Sequence, residues 1–176
     1  MAVGAERVLA QGDIIVSKTD TKGRIHYANR TFLSIADYEE RDVLEKPHNI
    51  IRHPDMPRTI FKVLWDRIRS GNELFTYIKN GTKNGDYYWV LAHVTPTFDS
   101  NGQIIGYHSN RRAPNRPVIA EMEQLYREIS NQESSQGDRK AGLIAGEALL
   151  NEKLAAAGQT IDQFVFSFAS NEKAAA

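Results

Sequence analysis

The chain has 176 residues, with 22 lysines and arginines balancing 22 aspartates and glutamates, and it contains no cysteine. That length accommodates one ordinary domain plus extensions, and a balanced charge gives no broad field to attract nucleic acid or a membrane surface. Absent cysteine excludes disulfides, thiolate metal sites, c-type haem attachment and thiol nucleophiles; with no apolar run of transmembrane length and no signal-peptide pattern, a cytoplasmic, soluble protein is expected.

Residues 1–12 read as a short helix or arm with Val3, Val8 and Leu9 as apolar contacts. The β-branched run Ile14-Ile15-Val16 suits a buried strand within 13–17, and a turn at 19–23 leads to a second strand at 24–28. Asn29 is placed to cap a helix carrying Phe32, Leu33, Ile35 and Ala36, and a further short helix covers 39–44. Helices this short need a larger element to pack on.

Residues 50–57 concentrate the unusual chemistry: Ile50-Ile51-Arg52-His53-Pro54-Asp55-Met56-Pro57. Asp55 reads as an N-cap for a helix over 58–70, whose Ile60, Phe61, Leu64, Trp65 and Ile68 recur at helical spacing. A basic corner ahead of a helix start favours an anion, and Arg52 and His53 either serve one or decorate a capped turn. Strands follow at 73–80, 86–97 and 103–111, joined by turns ending in Asn84-Gly85 and Asn101-Gly102. The order predicts an α+β domain, an antiparallel sheet with helices on one face.

Pro114 and Pro117 close this core. Ile119, Met122, Leu125, Tyr126 and Ile129 share one face of an amphipathic helix over 118–131, and a polar linker follows at 132–138. A helix-forming stretch spans 139–157, and Thr160 to Gln163 has capping-box spacing ahead of Phe164, Phe166 and Phe168. That last apolar segment either folds back or meets a partner. The expected divisions are an arm (1–12), a central α+β domain (13–113), an amphipathic helix with linker (114–138) and a C-terminal helical extension (139–176).

Three strings now resemble a known family: Tyr27-Ala28-Asn29-Arg30-Thr31-Phe32, the motif from Pro47 through Pro57, and Lys83-Asn84-Gly85-Asp86-Tyr87-Tyr88-Trp89-Val90. Residues 13–113 resemble the PAS domain of Aer-type aerotaxis and energy-taxis receptors. The resemblance implies the PAS fold, a five-stranded antiparallel sheet, and a sensory module that holds FAD non-covalently. It also implies signalling through a chemoreceptor and its histidine kinase, and a homodimer. The layout is similar to the separate soluble PAS partner of a bipartite energy-taxis receptor.

Carried onto this sequence, the resemblance places Asn80 at the flavin's pyrimidine edge and His108 near flavin N5, with Ile104, Gly106 and Asn110 sharing its parity and Gly106 leaving room for a ring. Arg52 and His53 are the candidates for the cofactor's anionic and polar parts, Asp55 shapes the helix start beside them, and Trp65 walls the pocket. Asn29 and His48 complete the set. Two positions depart from the family: Leu74 stands where those receptors carry tryptophan, and Val90 where light-sensing PAS domains use a second asparagine. Phe75 or Tyr77 could replace the missing ring only through a bulge, since their parity differs from that of Leu74.

Two other functions fit the same fold. One is a gas sensor holding haem b through His48, His53 or His108; the other is a cofactor-free dimerisation or docking module. No metal-ligand spacing, phosphate loop or nucleophile–base arrangement points to an enzyme.

Overall fold

The computed structural model describes residues 4–170, with side chains to residue 167. The chain divides into two compact units, one of residues 1–53 and 65–114, the other of 54–64 and 115–176. No helix among the described residues is long and apolar enough to cross a membrane.

The first unit is built on a five-stranded sheet in the order β2-β1-β5-β4-β3, with β1 Ile15–Thr19, β2 Ile25–Ala28, β3 Leu74–Gly81, β4 Tyr87–Phe98 and β5 Ile104–Arg112. All four neighbouring pairs are antiparallel: the three hairpin turns require it of β1–β2, β3–β4 and β4–β5, and β1 also pairs antiparallel with the distant β5. Gly23, Gly85 and Gly102 sit in those turns at positive φ, where a side chain would be strained. In the β-branched run the three residues are not equally buried: Ile15 is fully covered while Ile14 is 42% exposed. Alternation along a strand with one covered face explains the difference.

The N-terminal segment is an extended arm, not a helix. Glu6 bridges Tyr87 in parallel, the Arg7 amide donates to the Tyr87 carbonyl at 2.7 Å, and Arg7 Nε binds Asp86 at 3.0 Å. Leu9 is buried and Val8 exposed, while Val3 lies outside the described residues.

Helices α1 (Arg30–Ala36) and α2 (Glu40–Val43) and a 3-10 turn (His48–Ile51) fill the connection between β2 and α3 (Arg58–Arg69). Asn29 is the staple of this region. Its Oδ1 accepts from the amides of Phe32 and Val16, both at 3.0 Å, and its Nδ2 donates to the Ile14 carbonyl at 2.8 Å. The cap therefore also ties α1 to β1. Asn29→Ala is expected to lower unfolding free energy by about 1 kcal/mol, the ordinary loss for an N-cap, as read by urea denaturation.

The second unit contains the first turns of α3, α4 (Arg116–Ser134), α5 (Arg139–Ala156) and α6 (Ile161–Ser170). The expected apolar face of α4 is buried at Ile119, Met122, Leu125, Tyr126 and Ile129. The helix also runs through the start of the expected linker, because Glu133 has a partner there. Glu133 is 6% exposed; its Oε1 accepts from the Thr59 amide at 2.7 Å and the Thr59 hydroxyl at 2.8 Å, and its Oε2 from Arg58 Nε at 3.0 Å. Burial opposes ionisation of Glu133, but the Thr59 and Arg58 donors outweigh it and hold the carboxyl below its usual range.

Helix α3 begins at Arg58, Asp55 sits in the preceding turn, and the Thr59 amide at the helix start is met by a carboxylate from α4. The Thr160–Gln163 capping box is present, with the Gln163 amide donating to Thr160 Oγ1 at 3.2 Å and the Thr160 amide to Gln163 Oε1 at 2.8 Å. Val165 is buried in α6 and Phe166 is 40% exposed; the Phe168 side chain lies outside the described residues.

Candidate functional site

Directly opposed residues of an antiparallel pair share a face of the sheet, so the register assigns the faces. Asn80 opposes Tyr88, Ile78 opposes Val90, Thr76 opposes Ala92 and Leu74 opposes Val94. Ala92 in turn opposes Arg111, Val94 opposes Ser109 and Pro96 opposes Tyr107, while Ser17 of β1 opposes Ser109. The short helices cover this face. Trp65 of α3 meets Tyr107 edge-on with centroids 5.5 Å apart, and Phe32 of α1 meets His48 at 6.0 Å.

A polar cluster occupies the middle of that covered face. Arg111, on the central strand, is 2% exposed. Its Nε donates to Ser109 Oγ at 3.1 Å and its Nη2 to His48 Nε2 at 3.0 Å and to Ser17 Oγ. Its guanidinium lies 5.2 Å from the Phe32 ring centroid. An arginine only donates, so His48 Nε2 is an acceptor and the imidazole is the neutral Nδ1–H tautomer. Burial, and then the Arg111 charge, push His48 down to about 3. Burial lowers Arg111 itself to about 10, and burial raises Tyr88, which is fully covered, to about 12.

Three buried donors on this face have no hydrogen-bond partner among the described residues: Asn80 Nδ2, the Tyr88 hydroxyl and Arg111 Nη1. Unpaired buried polar groups are costly, and each has to be accounted for. Sequence reasoning found Asn80 but missed Arg111 and Tyr88, although the parity of Tyr107, Ser109 and Arg111 would have paired them with Asn80 once the covered face was known.

The other expected site residues are distributed unevenly. Arg52 is half-buried and bridges Asn80 in antiparallel fashion, which puts its side chain on the Asn80 side of the sheet edge. His53, one residue on, lies on the other side, with its ring edge-on to Tyr87 at 5.7 Å. The corner therefore separates these two side chains instead of converging them. Trp65 stands on the covered face against Tyr107, which opposes Pro96, at the end of β4 away from Tyr88 and Asn80. Asn29 is engaged in its cap and strand bonds.

His108 is a correction. It opposes Thr95 and Lys18, and so faces away from Asn80; Tyr107, Ser109 and Arg111 are the β5 residues on the covered side. Burial, with the nearby Lys18 and His93, lowers the His108 imidazole below its usual value. Gly106 likewise does not make room for a ring: a Cβ there would run into the Thr19 carbonyl, so the glycine permits the close approach of β1. Leu74 is fully buried on the covered face, while Phe75 stacks on His93 at 3.9 Å across the opposite face, with Tyr77 sharing its parity. Neither ring replaces the missing tryptophan. That opposite face is itself covered at Tyr77 and Trp89, which are 1% and 3% exposed.

These residues fit a planar ring with hydrogen-bonding edges, as a flavin has: unpaired donors at Asn80, Tyr88 and Arg111, with buried Ile78, Val90 and Ala92 between them on the same face. They do not fit haem coordination by the expected histidines. His48 Nε2 already accepts from Arg111, and His53 and His108 face away from Asn80. Among the described residues no group of three histidine, aspartate or glutamate side chains could hold a metal ion.

The comparisons with known proteins agree with this fold. The family model described as the PAS fold matches residues 25–111. The aerotaxis receptor of Escherichia coli (strain K12) is 35% identical over 144 residues, covering 82% of this chain and 28% of the receptor. The nitrogen fixation regulatory protein of Klebsiella pneumoniae is 23% identical over 105 residues, 60% of this chain and 21% of the regulator. This chain thus spans under a third of either relative. The dark structure of the blue-light photoreceptor Aureochrome1 LOV superposes with a TM-score of 0.54 at 23% identity, covering 66% of this chain and 84% of that one, which establishes the fold. With five antiparallel strands, short helices on one face and the motif around Arg52, the chain carries a PAS domain of the aerotaxis-receptor type.

Proposed function

We propose that this protein is a cytoplasmic PAS sensory module that binds FAD non-covalently on the helix-covered face of its sheet and reports redox or oxygen state for energy taxis. The observation that carries the reading is the buried Asn80 amide, 5% exposed, whose Nδ2 has no partner among the described residues. An amide offers both a donor and an acceptor, and a flavin's pyrimidine edge presents both. Arg52, on the same side of the sheet edge, is suited to the dinucleotide's phosphates, because a guanidinium fork meets two oxygens at once.

In this reading the cofactor supplies the redox chemistry and the chain supplies position and electrostatics. Asn80 orients the ring, buried Ile78, Val90 and Ala92 lie beneath it, and Arg52 holds the phosphate end at the rim. A change in ring charge then biases two arrangements of the sheet and its flanking segments, as any switch requires. The partners are a chemoreceptor or a similar signalling protein, and a second copy of the chain.

The absorption spectrum of the purified protein tests the reading. The two-band visible spectrum of oxidised flavin is expected, and an intense single Soret band or a colourless protein that takes up no FAD would overturn it. The Arg52→Ala variant is expected to bind FAD about tenfold more weakly and riboflavin as well as the wild type does, the loss of one charge-assisted phosphate contact. Equal weakening for both ligands in fluorescence titration would remove Arg52 from the phosphate.

A further inference from the structure

Arg111 is a buried cation without a counter-charge. Its partners among the described residues are two hydroxyls, a neutral imidazole and the face of Phe32, and its Nη1 has none. Taking a charge out of water without an opposite charge is expensive, by several kcal/mol even after relaxation. Tyr88 is near enough for each group to influence the other's ionisation, and its hydroxyl is equally unpaired at 0% exposure. Both side chains lie on the covered face that also holds Asn80.

Arg111 can only donate, while the Tyr88 hydroxyl can donate as well as accept. A ligand that satisfies both must present an acceptor to Arg111, and a partly or fully negative acceptor satisfies Arg111 best. Two parts of a dinucleotide flavin meet that description, the phosphates and the carbonyl-bearing edge of the ring. Phosphates are strongly hydrated and belong at the rim, where half-buried Arg52 stands. Arg111 lies on β5, the central strand, behind the short helices. A planar ring reaches such a place with less desolvation than a phosphate does.

We propose that Arg111 and Tyr88 form a donor pair for the electron-rich edge of the bound ring, and that this pair binds the reduced ring more tightly than the oxidised one. The proposal rests on the flavin reading above and adds to it a determinant of redox poise. Reduction adds electron density to the ring, and a fixed cation in a low-dielectric site favours the more negative state. Differential affinity for the two states is, by linkage, a shift in reduction potential.

The test compares wild type, Arg111→Gln, Arg111→Lys and Tyr88→Phe, each freed of ligand and titrated with riboflavin and with FAD. Arg111→Gln is expected to weaken oxidised riboflavin and oxidised FAD alike by a few-fold, and the reduced forms by a further tenfold. That preferential loss lowers the two-electron potential of the bound flavin by about 30 mV. Arg111→Lys, which keeps the charge, is expected to retain most of the potential. Tyr88→Phe should lose affinity for both ligands while the ligand-free protein is no less stable in urea, since the variant removes an unpaired hydroxyl. If Arg111→Gln does not fold, the lysine and phenylalanine variants carry the comparison. Weakening of FAD alone, or unchanged constants and potential in every variant, overturns the proposal and leaves the flavin reading intact. A wild-type protein that binds neither ligand overturns both.

Discussion

Between pH 7 and pH 4 this protein is expected to lose about 3 kcal/mol of unfolding free energy through His48 alone. The unfolded imidazole titrates at its ordinary value of about 6.5, whereas burial and the Arg111 charge hold the folded one at about 3. Because the folded value is depressed, the folded state binds fewer protons than the unfolded state throughout that window. The contribution is therefore fully present above about pH 6.5 and is lost as pH falls toward 3, by roughly 1.4 kcal/mol for each pH unit. Glu133 has the same sign for a different reason, and its contribution fades only below the ordinary glutamate range. Urea denaturation at pH 7, 5.5 and 4 measures the slope. A His48→Gln variant, which leaves an acceptor for Arg111 but no titrating ring, should be markedly flatter across the upper part of the window. If wild type and variant run parallel there, His48 is not the group responsible.

In the second unit, Gly142→Ala is expected to destabilise by about 1–2 kcal/mol even though alanine is the better helix former. Propensity within α5 favours alanine by about 1 kcal/mol, so the sign depends on what the new methyl meets. It would meet the Glu133 carbonyl, a backbone atom that cannot swing aside, and Arg58 Nη2 at 3.0 Å. Overpacking of that kind typically costs about 1–3 kcal/mol, and occasionally more. Gly146, one turn along, faces Thr59 Oγ1 and Glu133 Cγ, so both glycines let α5 close over the carboxylate that receives the Thr59 amide. Gly137, with open space around it and no positive φ, is a steric control for the first two. A Gly142→Ala protein as stable as wild type in urea would mean that α5 does not seat this closely on α4.

Much of the local architecture was legible in the residues. The Asn-Gly turns, the Asn29 cap and the Thr160–Gln163 capping box each depend on groups a few residues apart, so their hydrogen bonds are specified wherever the chain folds. The apolar face of α4 follows from spacing in the same way. Strand parity was equally readable: Asn80 groups with Leu74, Thr76 and Ile78, and all four are buried.

Which parity of β5 faces the helices was not. Tyr107, Ser109 and Arg111 on one side and Gly106, His108 and Asn110 on the other are similarly mixed in polarity, so no pattern of burial announces the face. Pairing with β4 decides it, past an irregular step between Thr97 and Phe98, and it turns His108 away while bringing in Arg111. Composition argues against a buried arginine beside a second arginine at a strand end; the central position of β5 puts it there nonetheless.

The motif around Arg52 divides along the same line. Its sequence determined a tight corner before a helix, because two prolines and a short 3-10 turn leave the backbone few alternatives. Only the tertiary structure decided that Arg52 pairs beside Asn80 while His53 packs on Tyr87, and that a glutamate 74 residues from Thr59 receives the helix amide. The reason is physical. Turns and caps are closed by neighbours in the chain, whereas the facing of a side chain and the partner of a buried charge are set by strands and helices that meet only after the chain has folded.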